Sequence, residues 1–258
     1  MNSKTFYDEN GFALIREPVI PLALVERAIA AQELLRSGGN DTGQDHAGAY
    51  GDPQRTDALI KIEQPQLASQ AIREVVGHAG LGKWALEITG ADWVQPWWVQ
   101  LLVKPSGDKL ASNVGWHQDR YYWSDWEEGS ELFTAWVALT DVTDDAGPMV
   151  FLKGSHKWGF LNQGDFFGQN LDELKSGITL PAGATWDEIA GTLPPGGISF
   201  HHSLTFHGSS ANISGLPRRS FAIHMRTNRS RPVDDRRSGL TTYIDDPVIC
   251  PVFHRDAK

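Results

Sequence analysis

Cysteine is almost absent from this 258-residue chain: Cys250 is the only one. No internal disulfide can form, and a thiolate-held zinc site would lack ligands. A reducing compartment, the cytoplasm, is the expected setting. Positive charge is also in short supply, with 23 Lys and Arg against 32 Asp and Glu and a net charge of −9. Nucleic acid and anionic membrane surfaces are bound by neutralising phosphates with Lys and Arg, so neither is an expected partner. Long apolar runs are missing as well. No stretch approaches the roughly 20 residues that span a bilayer, and the opening MNSKTFYDENGFALI lacks a basic region followed by an apolar run. There is no internal repeat, low-complexity tract or domain linker. One domain over residues 1–258 is expected, because β-sandwich and barrel domains reach about 200–250 residues as single units.

What the chain does contain is a change of texture near Gly90. Before it, PLALVERAIAAQELLRSGG places Leu24, Ala28, Ala31 and Leu35 on one helical stripe, with proline at the start and Gly38-Gly39 at the end. A second helix is expected over about 66–77, carrying Leu67, Ala71 and Val75. Residues 38–55, without periodicity, are expected to form a loop. After Gly90, WVQLLVKP, LFTAWVALTDV, MVFLKGSH, GGISFHH and RSFAIHMR are short β-rich runs between turns. The spacing predicts a mainly β core flanked by N-terminal helices.

The strands alternate. Phe133, Ala135, Val137 and Leu139 share one face, and Thr134, Trp136 and Ala138 the other. Trp98, Gln100, Leu102 and Lys104 oppose Val99, Leu101 and Val103. Faces that are apolar yet keep hydrogen-bonding groups suit the lining of a ligand-holding barrel. Residues 158–192, with Phe160, Phe166 and Phe167, are too long for a hairpin, and long irregular insertions are often lids.

Within GWHQDRYYW, His117 and Asp119 are two residues apart, so in extended chain they project the same way and can grip one ion. One further histidine would complete a two-His-one-carboxylate triad, which leaves three coordination positions open and suits iron(II) and dioxygen. Of nine histidines, His207 is the candidate, because it ends a β-rich run ahead of a glycine turn and a further strand. Eleven residues later, Arg218 opens that strand. If Arg218 faces inward, so do Ser220, Ala222 and His224, whereas Arg219, Phe221, Ile223 and Met225 face the other way. A buried guanidinium calls for an anionic partner, and a carboxylate is its bidentate match.

These segments resemble the phytanoyl-CoA dioxygenase family of iron(II)- and 2-oxoglutarate-dependent oxygenases. FYDENGFALIREPVI, LLVKPSG, WHQD, FTAWVALTDVTDDAGPMVFLKGSHKWG, PPGGISFHHSLTFHGSSANISG and RRSFAIH follow the family's order. The resemblance implies a double-stranded β-helix, or jelly roll, whose mouth holds the iron. It implies His117, Asp119 and His207 as iron ligands, Arg218 as the 2-oxoglutarate anchor, and dioxygen as the oxidant. Thr134, Lys104, Gln100 and Trp136 resemble positions that contact the cosubstrate or line its pocket. Ser209 is a further polar candidate there. His156, His201, His202 and His224 are expected to be structural rather than ligands. Leucine and lysine in FLKGSHK depart from the family's Pro-Gly-Ser-His turn but remove no catalytic group. Asp119 disfavours halogenation, since family halogenases carry a small residue at that position.

The implied reaction is hydroxylation of a small metabolite with release of succinate and carbon dioxide. Tyr121, Tyr122, Trp123 and Trp126 are candidates for an aromatic wall at the mouth. Arg226, Arg229, Arg231, Arg236 and Arg237, interrupted by Asp234 and Asp235, are expected to form a solvated loop rather than an anion site. Two alternatives are a cupin-like metal barrel acting without cosubstrate and a non-catalytic ligand-binding barrel.

Overall fold

The computed structural model describes residues 2–107 and 110–255. In chain order its elements are α1 (Ser3–Asn10), β1 (Phe12–Ile15), α2 (Leu22–Arg36), β2 (Gly48–Tyr50), β3 (Ile60–Glu63), α3 (Gln70–Val76), α4 (Ala79–Thr89), β4 (Trp93–Lys104), β5 (Val114–His117), β6 (Leu132–Ala138), β7 (Val150–Leu152), α5 (Leu171–Gly177), β8 (Glu188–Ala190), β9 (Ile198–His202), β10 (His207–Ser209), β11 (Arg218–Thr227) and β12 (Phe253–His254). All pairings between these strands are antiparallel. The larger sheet runs β1-β9-β6-β11-β4-β3-β2, with β12 beside the start of β4, and the smaller runs β5-β10-β7-β8. Together they form an open jelly roll rather than a closed barrel.

The two-residue period assigns each face of the large sheet its role. Val99, Leu101, Val103, Phe133, Ala135, Val137, Phe221, Ile223 and Met225 pack in one buried cluster with α2, α3 and α4. The opposite face contributes Leu102, Trp136, Ala138 and Ala222 to a second cluster with Phe151 of the small sheet. The polar groups on that inner face are therefore held between the sheets, where every buried donor or acceptor needs a partner.

Several elements differ from expectation. The second helix is a 3-10 turn, Pro65–Leu67, followed by α3. Between them Ser69 is extended, and Gln64 before the turn is left-handed, so the helical path is broken there. Helices α1 and α4 are additional. The first is polar but capped by Asn2, whose side chain accepts from the Thr5 amide at 2.8 Å. The second contains Gly82, over which Phe253 packs so closely that a Cβ would collide with its ring. The loop expected over 38–55 contains the short edge strand β2.

The expected insertion at 158–192 is partly ordered by α5 and β8, and β8 extends the small sheet. Its inner part lies on β5: the Gly115 amide donates to the Phe166 carbonyl at 3.0 Å and the Asp165 amide to that of Trp116 at 2.9 Å. A side chain at Gly115 would run into the Asp165 and Gly168 carbonyl oxygens. No helix among the described residues is long and apolar enough to cross a membrane.

Candidate metal centre and active site

His117 on β5 and His207 on β10 are direct cross-strand partners, with ring centroids 4.2 Å apart. Each ring is fixed by the carbonyl two residues earlier: Nδ1 of His117 lies 2.8 Å from Gly115 O, and Nδ1 of His207 lies 3.0 Å from Thr205 O. The proton must sit on Nδ1 to meet a carbonyl, which leaves each Nε2 as a bare lone pair, the tautomer a metal requires. Burial, reinforced by neighbouring His117 and His201, pushes the pKa of His207 well below its usual value.

Strand β5 ends at His117, and Asp119 opens a 3-10 turn instead of continuing the strand. Gln118 between them keeps extended angles, and its side chain is tied to the Gly159 and Leu204 carbonyls at 2.9 and 2.7 Å. The two side chains consequently still converge. Asp119 Oδ1 is 3.4 Å from Nε2 of His117 and 3.7 Å from Nε2 of His207. Ligand atoms of all three buried residues lie within 4.8 Å of one another. Burial raises the pKa of Asp119, but the surrounding His207, His117 and His201 outweigh it and hold the carboxyl well below its usual range. Two neutral imidazoles and one carboxylate on one side of a point fit a divalent iron ion.

Beside this cluster is a pocket lined by Gln100, Leu102, Thr134, Trp136, Met149, Ser209 and Arg218. Arg218 and Lys104 are cross-strand partners on β11 and β4, and both are buried. Arg218 donates to the Gly147 carbonyl and lies over the Trp136 ring, 5.1 Å from its centroid, while its Nε has no partner. Lys104 is held by Ser209 Oγ at 2.6 Å and by the Ser210 carbonyl. Burial lowers the Arg218 pKa to about 9, and burial together with Arg218 lowers that of Lys104 well below its usual value. Among the described residues no carboxylate bonds to either cation. Two buried cations without an anion, one with an unused guanidinium nitrogen, fit a carboxylate ligand.

A family model, phytanoyl-CoA dioxygenase (PhyH), matches residues 7–220. The chain belongs to the phytanoyl-CoA dioxygenase family. It is 24% identical over 241 residues to the peroxisomal phytanoyl-CoA dioxygenase of Mus musculus, covering 91% of this chain and 70% of the relative. A probable alpha-ketoglutarate-dependent hypophosphite dioxygenase of Stutzerimonas stutzeri is 30% identical over 126 residues, 46% of this chain and 40% of the relative's length. Among solved structures, the epimerase SnoN in complex with Fe3+, alpha ketoglutarate and nogalamycin RO is similar in fold, with a TM-score of 0.70 at 21% identity over 89% of this chain and 84% of that one.

On this family fold the remaining sequence candidates separate. Thr134, expected to contact the cosubstrate or line its pocket, lies in the pocket lining, and its hydroxyl Oγ1 donates to Asp119 Oδ2 at 2.7 Å and is 2.9 Å from Nδ1 of His224. Gln100 reaches Glu63 at 3.3 Å and lines two cavities, the pocket above and a cleft of about 320 Å3 beside the His-Asp-His cluster. That cleft is walled by Trp98, Tyr122, Trp123, Phe166 and Phe167, with Lys61 and Glu63 at its polar side. Tyr122 and Trp123 therefore do form an aromatic wall. Tyr121 is exposed instead, and Trp126 is buried against Trp97, 5.4 Å away. Of the five arginines expected in a solvated loop, Arg226 instead lies on β11 over Trp93 and Trp126; the others are individually occupied, Arg229 pairing with Glu131, Arg231 donating to the Asn228 and Ser230 carbonyls, Arg236 pairing with Asp234 and Arg237 with Asp245. His156 binds the Asp8 carbonyl at 3.1 Å and faces Gly11, away from the cluster.

Sequence reasoning missed Glu63 and Lys61, although the alternation of apolar and polar residues in IKIE is the signal of a half-buried strand that could have found them. It also set aside His201, whose Nε2 is 3.1 Å from Asp119 Oδ2.

Proposed function

We propose that this protein is an iron(II)- and 2-oxoglutarate-dependent hydroxylase of a small metabolite in the cytoplasm. The observation that carries the reading is the pairing of two sites. One is a buried His-Asp-His cluster with both Nε2 atoms bare, and the other an adjacent pocket in which buried Arg218, with Lys104 opposite it on the next strand, has no carboxylate of its own. In this reading His117, Asp119 and His207 hold the iron, and Arg218 anchors the far carboxylate of 2-oxoglutarate, with Lys104 beside it tied to Ser209 and the Ser210 carbonyl. Trp136 flanks that end through its ring, and Gln100 borders both the cosubstrate and the substrate. Iron with 2-oxoglutarate and dioxygen supplies oxidative decarboxylation to succinate and carbon dioxide, one oxygen atom going to succinate and the other to a substrate C–H bond.

The chain's own work is placement and exclusion of water. Phe166, its ring 5.2 Å from that of His117, covers the cluster from the insertion side. The cleft volume supports a compact substrate, and the single ammonium within it, Lys61, is already paired with Glu63 at 3.1 Å. A long nucleotide-bearing thioester would need a basic patch that this cleft does not offer.

The test is anaerobic addition of 2-oxoglutarate to the iron(II) protein. Chelation by a keto-carboxylate produces a weak visible charge-transfer band, which is the expected result. A colourless mixture, together with no heat of binding by calorimetry, would overturn the reading.

A further inference from the structure

We propose that His201, acting with the Thr134 hydroxyl, is a positioning residue that restricts Asp119 to a single ligand atom; the inference rests on the iron-site reading above. His201, Thr134 and His224 occupy one row across three adjacent strands, Thr134 being the direct partner of His201 on β9 and of His224 on β11. All three are buried, and the row runs beneath the Asp119 carboxylate.

The two oxygens of Asp119 are used differently. Oδ1 faces Nε2 of His117 and His207 at 3.4 and 3.7 Å, whereas Oδ2 receives Thr134 Oγ1 at 2.7 Å and His201 Nε2 at 3.1 Å. An ionised carboxylate only accepts, so both neighbours must donate. Thr134 has one proton, and giving it to Asp119 obliges its oxygen to accept from His224 Nδ1–H, 2.9 Å away. His201 must carry its proton on Nε2, which leaves Nδ1 as a buried lone pair with no partner among the described residues. A histidine serving only to fill space has no reason to accept that arrangement; one held to donate to Asp119 does. Its ring is kept in place by Phe151 and His207, with centroids 5.5 and 4.3 Å away.

The consequence concerns open coordination positions. Octahedral iron with three protein atoms has three left, two for the keto-carboxylate chelate and one for dioxygen. A carboxylate that swung to bind through both oxygens would take one of these. With both acceptor directions of Oδ2 occupied, Asp119 stays monodentate and all three remain available.

The experiment loads metal-free protein with cobalt(II), whose visible absorption reports coordination, and titrates it with 2-oxoglutarate. It compares the wild type with His201→Phe, His201→Gln, Thr134→Val and the His201→Phe/Thr134→Val pair. Each variant is first checked for wild-type circular dichroism and cooperative melting. The expected result is an altered cobalt spectrum and about a tenfold loss of 2-oxoglutarate affinity in the Phe and Val variants, the effect of removing one hydrogen bond to a charged group. A larger loss is expected in the pair. Gln, which can still donate from Nε2, should restore the wild-type spectrum and most of the affinity.

Folded Phe and Val variants with wild-type spectra and affinities would overturn the proposal. So would release of cobalt from both the Phe and Gln variants, which would make His201 a ligand. Should His201→Phe fail to fold, Thr134→Val and His201→Gln decide by the same titrations. A wild type that binds cobalt but no 2-oxoglutarate would sink the functional reading itself and this inference with it, a result separate from indifference of the variants.

Discussion

Adjacent arginines, Arg218 and Arg219, open β11 with opposite environments. Arg218 points between the sheets beside Lys104, and Arg219 points to the helices, where it pairs with Glu33 of α2. Replacing Arg218 by Ala should raise the 2-oxoglutarate requirement on the order of a hundredfold, because a buried charge-assisted pair is worth about 2–5 kcal/mol. The iron requirement should change little, since Arg218 touches none of the three proposed ligands. Arg219→Ala removes an ion pair to the half-exposed Glu33 and should leave both requirements near wild type. Measuring the two apparent constants separately in each variant checks the assignment. If Arg219→Ala were the more damaging for 2-oxoglutarate, the face of β11 that serves the pocket would have to be reassigned.

At the scale of elements, the faces of β4, β6 and β11 were legible because a two-residue alternation survives in any pairing register. Their inward set in the sequence, Leu102, Trp136 and Ala222, is the set that meets Phe151 of the small sheet. Helix α4 was not legible, because Gly80 and Gly82 weaken the helical signal and the reason for Gly82, the Phe253 ring, lies far along the chain. The candidate ligands could be named from spacing and resemblance, but the partners of Asp119 could not: that Thr134 stands opposite His201 is a fact of register between β6 and β9. The same limit applied to Gly115, whose lack of a side chain is explained only by the insertion lying on β5. Gly115→Ala should therefore lift that segment, costing about 1–3 kcal/mol in urea unfolding as overpacked sites do. Cleavage by added protease within residues 159–187 should quicken. Unchanged stability together with unchanged cleavage would show that the contact between insertion and β5 is not tight.

For the molecule as a whole, enclosing neutral histidines between two sheets makes stability depend on pH. Burial lowers the pKa of His224 to about 4, and burial together with the nearby His156 and His201 lowers that of His202 to about 4. In the unfolded chain both titrate near 6.5. Between these values the unfolded state binds protons that the folded state refuses, so stability is fully present above about pH 6.5 and is lost as pH falls toward 4. By pH 5 the deficit is roughly 2 kcal/mol for the enclosed His224 and less for the half-buried His202. His207, lowered for the same reason, adds to it in the metal-free protein. The metal-free chain should accordingly melt several degrees lower at pH 5 than at pH 7, and His224→Gln, which cannot take up a proton, should show a smaller drop. Thermal melts of both proteins across that range, at constant ionic strength, are the measurement. A wild-type melting temperature flat from pH 7 to 5 would mean that these imidazoles titrate normally in the fold, and that the space between the sheets is far wetter than its packing indicates.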